Sequence, residues 1–328
     1  MSVDDADGTA TAPLDGVVLD LLAASQQAAA ACQPWVGRGD KEAADDAAVA
    51  AMRECLASAG GQGEGAIGEG VKDDAPMLFV GEKFGVGPGP VYEIAVDPLE
   101  GTTLCARGAT GAIAVIAAAP AGSLYRTEGH YMDKLVVGAA AASVIDIDDP
   151  TEDNLKRIAT ALDRPLESLL VGVLDKPRHE DLIGRLRTLG VGVVLVTDGD
   201  VMTALSAMVP SGALDVALGI GGAPEGIITA CAARALGAGM QGRRVPQSDD
   251  ERKTLDDLEP GWDRTLRLDD MVRADEAVLV ATAVTSAWPL NAPEPATNGG
   301  TWLSSLLCAR RVGLAFVRAE VYRHDATS

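Results

Sequence analysis

Apolar positions recur at helical spacing from Leu14 to about Ala31, with Val17, Val18, Leu21 and Leu22 on one side, the pattern of a helix with one buried face. A second helix is expected from Asp45 to about Ala59, carrying Val49, Met52 and Leu56. Short apolar runs bounded by turn residues follow and read as strands: Met77–Val80, Val91–Val96, Ala112–Ala118 and one within Leu135–Ile147. From about residue 150 helices and strands alternate. Helix Thr151–Leu162 and a second short helix precede strand Leu169–Leu174, helix Glu180–Leu189 and strand Val191–Thr197. Helix Val201–Met208, strand Ala213–Leu218 and helix Ile227–Leu236 follow. Residues 243–265 are charged and loop-like, and Ala277–Thr285 and Val312–Tyr322 read as strands. Sheets covered by helices are the architecture such alternation implies.

Of the 328 residues 47% are hydrophobic, enough for a sizeable core and against disorder. Only 3% are aromatic, so that core must be built from Ala, Val, Leu and Ile. Residues 1–13 are small, polar and acidic and are expected to fray. The net charge of −21 and the lack of a Lys/Arg cluster argue against nucleic acid and anionic membranes as partners. The longest apolar runs are too short to span a bilayer. Five scattered cysteines and no C-x-x-C pair suit a reducing cytoplasm, and three histidines make a His-rich zinc site improbable.

Candidate chemistry lies where apolar runs end in acids. Strand Val91–Val96 leads into Asp97-Pro98-Leu99-Glu100-Gly101-Thr102. Asp97 and Glu100 can point at one spot with the Leu99 carbonyl between them, an all-oxygen set that suits Mg²⁺; a solvated surface turn would fit the same residues. Glu69 stands between Gly68 and Gly70, ahead of Asp73-Asp74-Ala75-Pro76. Gly37-Arg38-Gly39-Asp40-Lys41 precedes Asp45, itself a candidate helix N-cap. Gly219–Gly226 joins a strand to a helix and carries Glu225, where a metal or the helix dipole would each suit the acid. Lys176-Pro177-Arg178-His179 and Asp198-Gly199-Asp200 follow successive strands, where α/β sheets place binding loops. Lys176 and Arg178 could grip a second phosphate, and Asp198 and Asp200 could accept sugar hydroxyls. Gly85–Pro90 reads as a hairpin turn, because two prolines remove the N–H donors a phosphate loop needs.

These segments, with Tyr131-Met132-Asp133-Lys134-Leu135 and Met240-Gln241-Gly242-Arg243, resemble the class II fructose-1,6-bisphosphatases in the same order from about residue 14 to 325. The resemblance implies a lithium-sensitive, metal-dependent sugar phosphatase with a layered α-β-α-β-α fold. Its metal-binding half would be residues 14–150 and its sugar-phosphate-binding half residues 151–328. It implies two or more Mg²⁺ or Mn²⁺ held by the residues at Asp40, Glu69, Asp97, Leu99, Glu100 and Glu225. Catalytic roles fall to Thr102, Asp45 and Glu69; substrate contacts fall to Gly101, Tyr131, Lys176, Arg178, Asp198, Gly199 and Asp200. The implied reaction removes the 1-phosphate of fructose 1,6-bisphosphate in gluconeogenesis, in a cytoplasmic homo-oligomer, dimer or tetramer. Val71 stands where the family has an acid, Glu93 replaces Asp, and Thr103–Arg107 diverges. A phosphatase for another sugar or cyclitol bisphosphate, such as sedoheptulose 1,7-bisphosphate, and a catalytically weak regulatory paralogue are the alternatives.

Overall fold

The computed structural model describes residues 13–67, 78, 80–127, 129–210 and 212–322. In chain order, α1 (Val18–Cys32) follows a 3₁₀ turn at Leu14–Val17, and α2 (Lys41–Ala57) leads to β1 (Gly60–Ile67), β2 (Lys83–Phe84) and β3 (Val86–Glu100). Next come α3 (Thr102–Arg107), β4 (Ile113–Pro120), β5 (Tyr131–Val137), α4 (Thr151–Ala161), β6 (Leu170–Leu174) and α5 (Glu180–Leu189). They are followed by β7 (Gly192–Val196), α6 (Asp200–Met208), β8 (Val216–Gly222), α7 (Ala223–Leu236), β9 (Gly239–Arg244) and α8 (Asp249–Leu258). The chain closes with β10 (Leu266–Arg267), α9 (Leu268–Met271), β11 (Val278–Ala283), β12 (Glu294–Pro295), β13 (Thr301–Ala309) and β14 (Gly313–Val321).

The strands form two mixed sheets. One runs β12-β13-β11-β4-β3-β1-β2 with β14 beside β13; the other runs β10-β9-β5-β8-β6-β7. Alternation along the strands sorts side chains between three apolar layers. Ile94, Val96, Ala114, Ile116 and Ala118 pack under α1 and α2. Ala95, Val115 and Ala117 face the other way, and with Met132, Val136 and Ala217 of the second sheet enclose α6 and α7. Leu135, Val137, Val171 and Val173 face outward against α4 and α5. The order is therefore helix, sheet, helix, sheet, helix, as the resemblance implies. Alanines on the buried faces of α1, α2 and α7 allow close approach without aromatic bulk, which fits the composition. Among the described residues no helix is long and apolar enough to cross a membrane.

Several local expectations are corrected. Gly85–Pro90 is not a hairpin turn: β3 begins at Val86 and pairs in parallel with β1. β1 itself, Gly-Gly-Gln-Gly-Glu-Gly-Ala-Ile, lacks the alternation of a strand. Pairing imposes it, and Gly63 is required because a Cβ there would lie 2.1 Å from the Phe84 ring. The second helix starts at Lys41, and its N-cap is Asp40 rather than Asp45; Asp40 Oδ1 accepts the Ala43 N–H at 3.0 Å. Residues 243–265 hold α8, capped by the Ser248 hydroxyl. Of the expected strand Met77–Val80, Met77 and Phe79 lie outside the described residues, and Leu78 and Val80 are in no strand.

Candidate active site

Asp97 and Glu100 sit at the C-terminal end of β3, where a bulge relative to β4 puts two residues between Asp97, opposite Val115, and Glu100, opposite Ile113. The extra chain length turns Glu100 inward; Asp97 Oδ1 accepts the Leu99 N–H at 3.1 Å. Gly101 then takes a left-handed conformation, φ 81°, that opens α3 with Thr102 as its first residue. The loop preceding α2 docks on the same helix: the Gly37 and Gly39 N–H groups donate to the carbonyls of Cys105 and Ala106 at 2.9 and 2.8 Å. Asp40 is thereby carried to the α3 side of the site. Asp45 lies farther along α2, near enough for its charge to reach the Cys32 thiol, which is hydrogen-bonded to Cys105 of α3.

The second sheet delivers its acids from helix starts. Asp200 opens α6, and Glu225 is the third residue of α7. Gly221 and Gly222 make room for them: a Cβ on Gly221 would lie 2.0 Å from Asp200 Oδ2, and one on Gly222 1.7 Å from Glu225 Oε2. Glu100 reaches across from the first sheet, and its Oε1 accepts the Val201 N–H at 2.6 Å. Burial pushes the Glu100 carboxyl well above the usual carboxylate range, the Val201 bond opposes this, and the charges of Asp200, Glu225 and Asp198 add to it. Burial raises Glu225 as well, with Lys134 opposing and Asp200 and Asp198 adding.

Glu100, Asp198, Asp200 and Glu225 thus form one electrostatic cluster. Its cation is Lys134, buried on β5, which donates to Asp200 Oδ2 and, at 2.8 Å, to the Gly222 carbonyl. Lys134 had no assigned role in the sequence reading. Its signal was a lone lysine on the face of β5 that otherwise carries Met132 and Val136. Glu100 Oε2 and Glu225 Oε2 are buried without hydrogen-bond partners.

Buried, unsatisfied carboxylate oxygens are costly unless a cation meets them, and an all-oxygen set fits a hard divalent metal. Among the described residues no three Asp, Glu, His or Cys side chains converge closely enough to hold a metal by themselves. Glu69, with Gly68–Met77, lies outside those residues.

Lys176 and Arg178 lie on the turn between β6 and α5. Arg178 donates to the Ile220 carbonyl at 3.0 and 2.8 Å, and its guanidinium stands 5.5 Å from the Tyr131 ring centre. His179 anchors the turn. Its Nδ1 meets the Leu174 carbonyl at 2.7 Å, and its Nε2 accepts the Ile220 N–H at 2.7 Å. Burial pushes its pKa down, so the imidazole stays neutral and suits both bonds. Asp198 and the left-handed Gly199, φ 97°, complete the loop that leads into α6.

Residues 15–319 match the family model described as bacterial fructose-1,6-bisphosphatase, glpX-encoded. The chain is 41% identical over 283 residues to the class 2 fructose-1,6-bisphosphatase of Haemophilus influenzae, covering 82% of this chain and 85% of that protein. It is 40% identical over 284 residues to fructose-1,6-bisphosphatase 1 class 2 of Escherichia coli K12, covering 82% and 84%. The chain therefore belongs to the bacterial glpX-encoded family of fructose-1,6-bisphosphatases.

Proposed function

We propose that this chain hydrolyses the 1-phosphate of fructose 1,6-bisphosphate, giving fructose 6-phosphate and inorganic phosphate. The observation that carries the reading is the pair of buried, partnerless oxygens on Glu100 and Glu225, close to the Lys134–Asp200 ion pair. A −21 chain can approach a bisphosphate only through local cations, which metals on the buried carboxylates and the Lys176/Arg178 turn would supply.

Asp40, Glu69, Asp97, Glu100, Glu225 and the Leu99 carbonyl are the proposed ligands of Mg²⁺ or Mn²⁺. When bound, such metals supply an acidified water and neutralise phosphoryl charge. Thr102, first in α3, orients the attacking water or a phosphoryl oxygen, and Asp45 positions it from α2. Gly101 lets the backbone come close to the phosphoryl group. Tyr131, Lys176 and Arg178 hold the second phosphate, the guanidinium as a planar two-point donor. Asp198, Gly199 and Asp200 take the sugar hydroxyls. Lys134 keeps Asp200 in place and lowers the repulsion between the four acids. Residues 14–150 supply most of the metal-binding half and 151–328 the sugar-binding half.

Phosphate release from a panel of sugar phosphates, with Mg²⁺ or Mn²⁺, tests the proposal. Release from fructose 1,6-bisphosphate above every monophosphate supports it. A preference for a seven-carbon bisphosphate shifts the substrate alone, and release from none of them overturns it.

A further inference from the structure

The turn after β6 is tied to β8 by a side chain that the proposed mechanism does not use. β6 pairs in parallel with β8 only as far as Val173, opposite Leu218. Farther along β8, the backbone of Ile220 is met by side chains of that turn. Its N–H donates to His179 Nε2 at 2.7 Å, and its carbonyl accepts from Arg178 Nε and Nη2 at 3.0 and 2.8 Å. Two neighbouring residues thus continue, by side chain, a pairing that the strand has stopped making.

The chemistry of His179 leaves one assignment of its proton. The ring is buried, and Nδ1 stands 2.7 Å from the Leu174 carbonyl. A carbonyl only accepts, so Nδ1 carries the proton and donates, and Nε2 is the bare nitrogen that accepts from Ile220. The ring lies against Gly219, where a Cβ would come within 2.8 Å of Nε2 and 3.2 Å of Cδ2 and Cε1. Gly219 also has φ 113°, a conformation that a side chain would strain. A glycine bends β8 at this point, and the imidazole fills the bend and fastens the next residue.

We infer that His179 is a positioning residue for the second phosphate: it fixes Ile220, and Ile220 aims the Arg178 guanidinium. Arg178 gives the Nε side of its fork to the Ile220 carbonyl, and the Tyr131 ring stands by its face at 5.5 Å. The remaining N–H groups, on Nη1 and Nη2, are left for a phosphate. A planar donor binds two oxygens at once only while its plane is held. Without an acceptor at Nε2 the Ile220 N–H loses its bond beside a glycine that can rotate, and the carbonyl beneath Arg178 is no longer held. His179 itself touches no substrate. The inference rests on the bisphosphatase reading for the identity of the ligand.

The test is steady-state phosphate release from fructose 1,6-bisphosphate by the full chain loaded with Mg²⁺, with melting curves on the same preparations. His179→Asn keeps an amide near the Nδ1 position and loses the acceptor at Nε2. His179→Gln carries an amide oxygen out to the Nε2 position. His179→Asn is expected to raise KM by about tenfold, the scale of one weakened charged hydrogen bond, with kcat within about threefold of the parent. His179→Gln restores both constants to within about threefold of the parent. Arg178→Ala sets the ceiling, and adding His179→Asn to it raises KM no further, since both act through one guanidinium. An unchanged KM in His179→Asn, a His179→Gln as impaired as His179→Asn, or losses that multiply in the double variant overturn the inference. If His179→Asn does not fold, His179→Phe, which keeps a ring over Gly219 and loses both bonds, takes its place with the same expected KM. Failure of both to fold makes His179 a residue of the fold alone and overturns the inference too. A parent that releases no phosphate overturns the bisphosphatase reading and this inference together, whereas the other adverse results, with an active parent, overturn the inference alone.

Discussion

Gly222→Ala isolates one carboxylate. The residue has φ −68° and ψ 145°, a backbone that alanine adopts freely, so the substitution brings no backbone strain. The added Cβ would lie 1.7 Å from Glu225 Oε2, 2.4 Å from its Cδ and 2.8 Å from Oε1. Ordinary contact begins at 3.4 Å, so the carboxylate must retreat by about 1.5 Å or more, and as the end of a flexible side chain it can do so without unfolding α7. A misplacement of about 1 Å in a positioned group can cost about 100-fold in rate, equivalent to about 2.7 kcal/mol of transition-state stabilisation. The expected result is a loss of about 100-fold in kcat/KM for phosphate release from fructose 1,6-bisphosphate, with the Tm within a few degrees of the parent. Because both changes act through the same carboxylate, Gly222→Ala combined with Glu225→Gln should lose little more than either alone. Parent-like kcat/KM in Gly222→Ala, or losses that multiply in the double variant, would refute the placement of Glu225 in the site.

Lys134→Met should cost about 3 kcal/mol in denaturant unfolding, because it leaves Asp200 uncompensated beside Glu100 and Glu225; a change under about 0.5 kcal/mol would show the ion pair to be unimportant. The raised pKa of Glu225 means its neutral form is favoured by the fold. Its contribution is therefore fully present below the ordinary value of 4.5 and lost as pH rises through the higher folded value. Metal-free Glu225→Gln should accordingly be more stable than the metal-free parent at pH 8, with the gap closing toward pH 4; melting curves across that range check it, and an opposite slope rejects it. Leu155→Ala, fully buried between α4 and the second sheet, should cost about 3 kcal/mol by cavity formation while leaving the KM for the bisphosphate unchanged. A shifted KM would show that the outer layer is coupled to the site.

The sequence was most legible where one chemical pattern settles an element alone. Apolar strands ending in acids, at Asp97 and at Asp198–Asp200, could be placed because an apolar run stops where charge begins. The alternation from β6 to α7 was equally plain. What escaped depends on partners distant in the chain. β1 is glycine-rich because Phe84 and Pro90 crowd Gly61 and Gly63, and no local pattern announces that. β3 extends back through two prolines because its partner there is the start of β1. α8 buries only Glu251 and Leu255, too narrow a stripe to stand out, although Ser248 followed by Glu251 was a readable cap signal. In the site, motif and resemblance point to Glu100 and Glu225 as candidate metal ligands, but their mutual charge, and Lys134 as the counter-ion, depend on two sheets meeting across α6 and α7. Asp40 shows the reverse case, where one acid serves as helix cap and candidate ligand, and residue type alone does not separate the roles.

The most direct measurement is phosphate release from fructose 1,6-bisphosphate by the parent and by Asp97→Ala, each with and without added Mg²⁺. Asp97 Oδ1 accepts the local Leu99 N–H, and melting curves on the same preparations read whether each variant is folded. Metal-dependent release by the parent, and loss of at least about 100-fold in folded Asp97→Ala, is the predicted result. Release that needs no metal, or that survives in Asp97→Ala, would contradict a metal-dependent bisphosphatase built on the end of β3.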